Sequence, residues 1–225
     1  LSEPVWTAVW LTLRLAGIST VLLLFMATPL AWWLAHSRRW WSELVAALVT
    51  LPIVLPPTVL GFYLLLALGP DSWLMIPLRS FGIRTLAFSF EGLVIGSIIY
   101  SLPFAVQPLR NAFAGIGTRP MEAASTLGAH PLDAFLSVAM PLARHGFLVA
   151  AILSFVHTLG EFGVVLMLGG GIPGETGVIS IELYRMVERL DWDQAHHLAA
   201  GLALFGFLIV LGLLLLDRRA RRMTA

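Results

Sequence analysis

The sequence predicts an all-α integral membrane protein, a single transmembrane domain over residues 1–225 with about five spanning helices, N-terminus outside and C-terminus inside. Three observations lead there. The composition is 58% hydrophobic and 12% charged with mean hydropathy +0.87, whereas soluble domains are about half apolar and about a quarter charged. Apolar runs of bilayer length recur along the chain. The arginines fall on alternate sides of those runs.

Apolar runs of about 18 or more residues span a hydrocarbon core. Leu15 to Ala35 qualifies, extended upstream from about Thr7 past Arg14, and is too long for a cleaved signal peptide. Leu44 to Pro70 is long enough to span with tilt or a kink. Gly92 to Leu109 sits at the lower limit, His145 to about Leu168 requires Glu161 inside the bundle, and Leu198 to Leu216 is clean. With the N-terminus outside, nine inside arginines (Arg38, Arg39, Arg110, Arg119, Arg144, Arg218, Arg219, Arg221, Arg222) face four outside ones (Arg79, Arg84, Arg185, Arg189). The positive-inside rule then favours N-out, C-in. The Arg218–Arg222 cluster reads as a topology anchor that also touches anionic lipid. Trp32-Trp33 and Trp40-Trp41 fit interfacial belts.

What is missing excludes whole classes. The chain has no cysteine, which removes disulfides, thiolate metal sites and a Cys nucleophile. All 14 basic residues are arginine, and a Walker A loop needs Lys at the phosphates. Any ATP and Mg chemistry must therefore come from a partner subunit, and this chain is expected to bind no cofactor of its own. No nucleic-acid motif and no nucleophile–base constellation is present. His196-His197 with Asp191 and Asp193 is expected to be a solvated polar loop rather than a metal site.

Two external connections are long. Asp71 to Phe90 contains Pro77 and Gly82, and Gly169 to His197 opens with a glycine run. Within the second, Ile181, Tyr184 and Val187 mark a short amphipathic helix over Ile179 to Leu190.

Between the third and fourth spans lies a patterned polar segment, residues 118–141. Thr118 and Pro120 start a helix and Glu122 suits its positive end. Ala123, Ala124 and Gly128 give a face almost without side chains, which another backbone can approach closely. Pro131 ends this helix and Leu132 to Met140 starts another. An ordinary interfacial helix is the alternative, but its arginine content is low. The spacing Glu122-Ala123-Ala124, Gly128, then Val138-Ala139-Met140-Pro141 after the gap Ala129 to Ser137 resembles the cytoplasmic EAA loop of ABC-importer permeases. That loop reads Glu-Ala-Ala, three residues, Gly, nine residues, Ile-x-Leu-Pro, so the closing positions depart at two of four places. The resemblance implies the type I permease fold and assigns ATPase coupling to Glu122, Ala123, Ala124, Gly128 and Pro141.

Irregular backbone marks the spans themselves. Pro52, Pro56, Pro57 and Gly61 interrupt the second, and consecutive prolines cannot sit in a regular helix interior. Broken backbone at membrane depth requires surrounding protein or a water-filled cavity, so the break reads either as a substrate path or as a packing kink. Tyr100, Ser101 and Pro103 repeat the theme in the third span. In the fourth, His157 and Glu161 share a helix face. As intramembrane polar groups they read as structural, Glu161 capping or hydrogen-bonding near an irregular helix end, with a proton relay as the alternative.

Leu159-Gly160-Glu161-Phe162-Gly163 followed by Ile172-Pro173-Gly174-Glu175-Thr176, together with Leu51-Pro52, Leu55-Pro56-Pro57 and Gly61-Phe62, is similar to the molybdate-transporter permease family. Sulfate permeases share the first piece. This resemblance, over roughly Leu51 to Tyr184, implies a multi-pass protein of a bacterial or archaeal plasma membrane. It implies a second copy of the chain, two cytoplasmic ABC ATPase subunits and an external oxyanion-binding protein as partners. The cargo would be molybdate, with tungstate close behind. Thr50, Pro56, Pro57, Thr58, Ser101, Ser154 and Thr158 are the candidate path residues, although their hydroxyls could equally join helices. Rival readings are a sulfate or thiosulfate permease and a stand-alone proton-coupled carrier using His157 and Glu161. Some relatives carry an additional N-terminal span, and the opening at Leu1 leaves room for one.

Overall fold

Proline positions and small-residue contacts explain most of the architecture. A computed structural model describes residues 3–223, with side chains described over 5–215, and all regular structure among them is helical. The elements are α1 (Glu3–His36), α2 (Trp40–Val54), α3 (Pro57–Leu68), a 3₁₀ turn (Trp73–Met75), α4 (Ile76–Arg79), α5 (Phe90–Ile116), α6 (Arg119–Thr126), α7 (Pro131–Ala134), a π turn (Phe135–Ala139), α8 (Met140–Leu142), α9 (Arg144–Leu159), α10 (Gly163–Gly169), α11 (Ile179–Glu188) and α12 (Trp192–Met223). Among the described residues, three helices are long and apolar enough to cross a membrane, within α1, α5 and α12, and up to five spans result if each of two bent helix pairs counts as one.

The body is a triad of α1, α5 and α9. Leu23, Ala27, Ala31 and Leu34 of α1 meet Ala105, Val106, Leu109 and Phe113 of α5, with Ala150 of α9, all fully or almost fully buried. Alanines on three helices let the backbones approach, which is how membrane helices gain packing where burial from water supplies no force. Gly146 is the extreme case: a Cβ there would sit 2.3 Å from the Ala112 Cβ. By contrast, α12 stays almost wholly exposed along its apolar length.

Two expected spans are broken. Leu55 and Pro56 each precede a proline and are held extended, at ψ 137° and 133°, because a residue before proline is pushed out of the α region. Two such residues in succession end one helix and start another, so α2 and α3 meet at 112°. The arms, roughly 22 and 18 Å long at 1.5 Å per residue, displace the chain by only about 23 Å, less than the ~30 Å hydrocarbon core. The predicted single span with a kink is therefore a broken span or a re-entrant loop. The predicted fourth span over 145–168 is likewise divided, α9 stopping at Leu159 and α10 starting at Gly163. The freed backbone is satisfied locally: Gly160 N–H donates to Val156 O and Glu161 N–H to Thr158 O, as irregular backbone inside a bundle requires.

Other expectations shift. His196 and His197 lie in the first turns of α12 rather than in a loop, and His197 Nδ1 sits 2.6 Å from the Asp193 carbonyl of the same helix. Trp32 packs into an internal aromatic cluster described below, whereas Trp40 is 81% exposed. The side chains of Arg218, Arg219, Arg221 and Arg222 lie outside the described residues. The amphipathic helix appears as α11. The connection before it is a turn pinned by buried Thr176, whose Oγ1 donates to Gly169 O (2.5 Å) and accepts from Ile172 N–H (2.8 Å).

Candidate functional site

The segment 118–141 folds as α6, a tight turn and the α7–π–α8 run. Thr118 is the N-cap of α6 and Pro120 lies in its first turn, where its missing N–H is harmless. Glu122 and Ala123 are exposed, but Ala124 is buried within the chain. The three small residues therefore do not form one docking face: Ala124 points inward. Gly128 owes its place to conformation as well. It sits at φ +82°, with Gly128 N–H donating to Ser125 O and Ala129 N–H to Ala124 O, both at 3.0 Å. These are the paired bonds of a Schellman cap, which wants glycine at C′. Gly128→Ala meets no neighbouring atom, yet the left-handed backbone should cost it about 1 kcal/mol. Faster amide exchange over residues 124–129 would register that loss.

Sequence reasoning missed two features of this segment. Leu127, Leu132 and Leu136 are 88%, 62% and 53% exposed, an apolar surface beside Glu122, Ala123 and exposed Pro141 of the kind that marks an interaction site. Leucines in an otherwise polar segment were the available signal. The second is an aromatic socket. Phe135, in the π turn, lies 5.0 Å from Trp32 of α1 and 5.9 Å from Phe113 of α5 between ring centroids, and Phe113 lies 6.0 Å from Phe147 of α9. The socket ties the segment to all three helices of the body. A π turn in a short helix is itself a feature found at functional positions.

At the other end of the structure the two helix breaks meet. A Cβ on Gly163 would lie 2.7 Å from the Pro57 Cβ, and one on Gly61 would lie 2.7 Å from the Met167 Cβ. The glycines thus let α3 and α10 cross in contact directly after their breaks. Glu161, 3% exposed, is held between elements: Ser97 Oγ of α5 donates to its Oε2 (2.7 Å), and Ser180 Oγ of α11 donates to its backbone carbonyl (2.6 Å). Its Oε1 is buried without a partner among the described residues.

His157 belongs to a separate network. Ser101 Oγ lies 2.9 Å from His157 Nδ1 and 3.1 Å from Thr158 Oγ1, while the imidazole stacks on Phe104 and tilts against Tyr100. His157 and Glu161 bond different serines, so they do not form a direct relay. Ser101, Ser154 and Thr158 are 0%, 0% and 2% exposed in the α5–α9 seam, a place that fits the alternative in which such hydroxyls join helices. Thr50 is half-buried and bonds Ala46 O within its own helix (2.8 Å). Of the path candidates, Pro56 and Thr58 are exposed and Pro57 is half-buried. A groove of about 280 Å³, unanticipated from sequence, opens among α2, α5 and α9, lined by Ile53, Phe104, Gln107, Asn111, Val149 and Leu153 together with Pro103 and Pro108.

The arrangement contains an exposed segment with an apolar patch, a socket linking it to the bundle, and broken helices. Comparison with known proteins agrees. The chain is 54% identical over 213 residues, 95% of its length and 94% of the relative's, to the molybdenum transport system permease protein ModB of Azotobacter vinelandii. It is 34% identical over 189 residues to the protein of the same name from Escherichia coli K12, covering 84% of this chain and 82% of that one. Among solved structures it is similar to a chain of the inward-facing MetNI methionine ABC transporter, at TM-score 0.71 and 20% identity over all of both chains. It is also similar to a chain of a bacterial ABC transporter that imports alginate, at TM-score 0.73 and 20% identity over 100% of this chain and 82% of that one. At those identities the likeness is one of fold, the ABC-importer permease fold. Residues 27–223 match the family described as binding-protein-dependent transport system inner membrane component, and the chain belongs to that family.

Proposed function

We propose that this permease subunit carries molybdate, with tungstate as a close analogue, across a bacterial or archaeal plasma membrane. The observation that carries the reading is the 54% identity over 95% of the chain to a relative named for molybdenum transport. Two copies of the chain enclose the path, two ABC ATPase subunits dock on the segment around Glu122, Gly128 and Pro141, and an external binding protein delivers the anion. The arginine asymmetry supports placing that segment on the inside, where an ATPase has access. The absence of lysine supports assigning ATP and Mg to the partner. Closure of the ATPase pair moves the segment, the motion passes through Phe135 into α1, α5 and α9, and the paired copies turn outward to accept the anion. Hydrolysis resets them. Such alternation requires nucleotide and cargo to bind the two states differently.

The test is ATP-dependent molybdate uptake by vesicles holding the complete complex, with tungstate and sulfate as competitors. Uptake should need ATP, yield to tungstate and ignore sulfate. Competition by sulfate at equal concentration would move the cargo to sulfate or thiosulfate. Uptake that persists without the ATPase and collapses with an uncoupler would make the chain a proton-coupled carrier. Glu122→Lys should reduce uptake at least about tenfold, since reversing an exposed charge at a docking surface commonly costs about 1.4 kcal/mol or more. Unchanged uptake would remove Glu122 from the ATPase contact.

A further inference from the structure

Two amides stand out near the inner end of α5. Gln107 and Asn111 are both exposed, one turn apart on one face. Neither bonds another group among the described residues. They lie roughly 25 and 31 Å along a helix about 40 Å long, at the inner end of the third span, on either side of Arg110. Both open onto the groove of about 280 Å³ among α2, α5 and α9, where the other lining residues are apolar or proline. The groove holds no carboxylate and no cation. The neighbouring Arg110 is 3.7 Å from Glu43 Oε1, so its charge is partly balanced.

We propose that Gln107 and Asn111 form an inner relay for the oxyanion, their amide NH₂ groups replacing part of its hydration shell as it crosses toward the α6 end of the bundle. The inference rests on the oxyanion-permease reading above. A side-chain amide offers two donors and no charge. Donation to an ionised oxygen makes a charge-assisted bond, and the missing fixed cation keeps the site weak enough to release its cargo. Phe104 and Ile53 form part of the apolar wall, and Phe104 also stacks on His157. With two copies facing each other, donors approach a tetrahedral anion from both sides.

The experiment uses the complete complex in proteoliposomes. The double substitution Gln107→Leu with Asn111→Leu should lower molybdate uptake per assembled complex at least about tenfold, the loss of one or more charge-assisted hydrogen bonds. The swap Gln107→Asn with Asn111→Gln should retain most of it. Wild-type uptake by the double leucine variant would overturn the relay. Since the chain has no cysteine, Gln107→Cys and Asn111→Cys give an answer even if the leucine variant fails to assemble. A water-soluble anionic thiol reagent should modify both, and molybdate turnover should slow the modification. Leu208→Cys, at an exposed apolar position, should stay unmodified. Rapid disulfide formation between two Gln107→Cys copies without reagent access would identify a dimer contact instead and overturn the proposal. Failure of the underlying reading looks different, as the wild-type complex itself would then take up no molybdate.

Discussion

Phe135→Ala is expected to lower molybdate uptake at least about tenfold while the complex continues to hydrolyse ATP. The ring contacts Trp32 and Phe113 edge-on and tilted at 5.0 and 5.9 Å, distances at which aromatic pairs contribute beyond their buried area. It is the side chain through which the segment reaches α1 and α5 at once. Truncation removes those contacts and leaves a void, with a cost near about 3 kcal/mol, the low end for Phe→Ala because the ring is only half-buried. The loss falls on the joint between the segment and the body, so, on the coupling proposed above, an ATPase would stay docked while its motion is not transmitted. Phe135→Leu keeps most of the volume and should keep at least half of the uptake. Uptake and ATP hydrolysis measured on the same vesicles decide the matter. Normal uptake by the alanine variant would mean that the socket only holds the fold together.

The second large effect is expected at the paired helix breaks. Gly163→Val should abolish uptake and lower the melting temperature of the purified complex. The new Cβ would meet the Pro57 Cβ at 2.7 Å and the Thr58 nitrogen at 3.4 Å. A proline ring cannot rotate away, so α3 and α10 must separate. Overpacking of this kind typically costs about 1–3 kcal/mol, and the displaced helix would carry Glu161 away from Ser97 and Ser180. Gly160→Ala, three residues earlier, is the control. Its nearest non-neighbour atoms would lie at 3.8 and 3.9 Å, so it should assemble and transport nearly as the wild type does. Equal behaviour of the two variants would show that the close crossing is unimportant.

The motif fragments gain a physical reading from these contacts. Leu55-Pro56-Pro57 with Gly61, and Gly160-Glu161-Phe162-Gly163, are about a hundred residues apart in the chain. Each looks like an isolated helix break. In space they are two halves of one joint, in which prolines stop one helix, glycines admit the other, and Glu161 fixes the second break to α5 and α11. Gly128 was legible as part of a spacing, but its reason, a left-handed C′ position, emerges only from the backbone.

By itself, the sequence determined the class, the long apolar helices, the exclusion of ATP chemistry from this chain, and the position of the polar segment 118–141. These depend on composition, run length, proline and residue type, which are local properties. The tertiary structure decided which way each helix faces. It buried Ser101, Ser154, Thr158 and Ala124, exposed Gln107 and Asn111, and joined Phe135 to Trp32. The reason is the solvent. In water an amphipathic stripe announces the core, but a membrane helix meets lipid on one side and protein on the other, and both are apolar. Helices such as α1 and α3 therefore carry little pattern of orientation. Their facing is set by close packing at small residues such as Ala105, Gly146 and Gly163 and by a few hydrogen bonds between chain segments far apart in sequence.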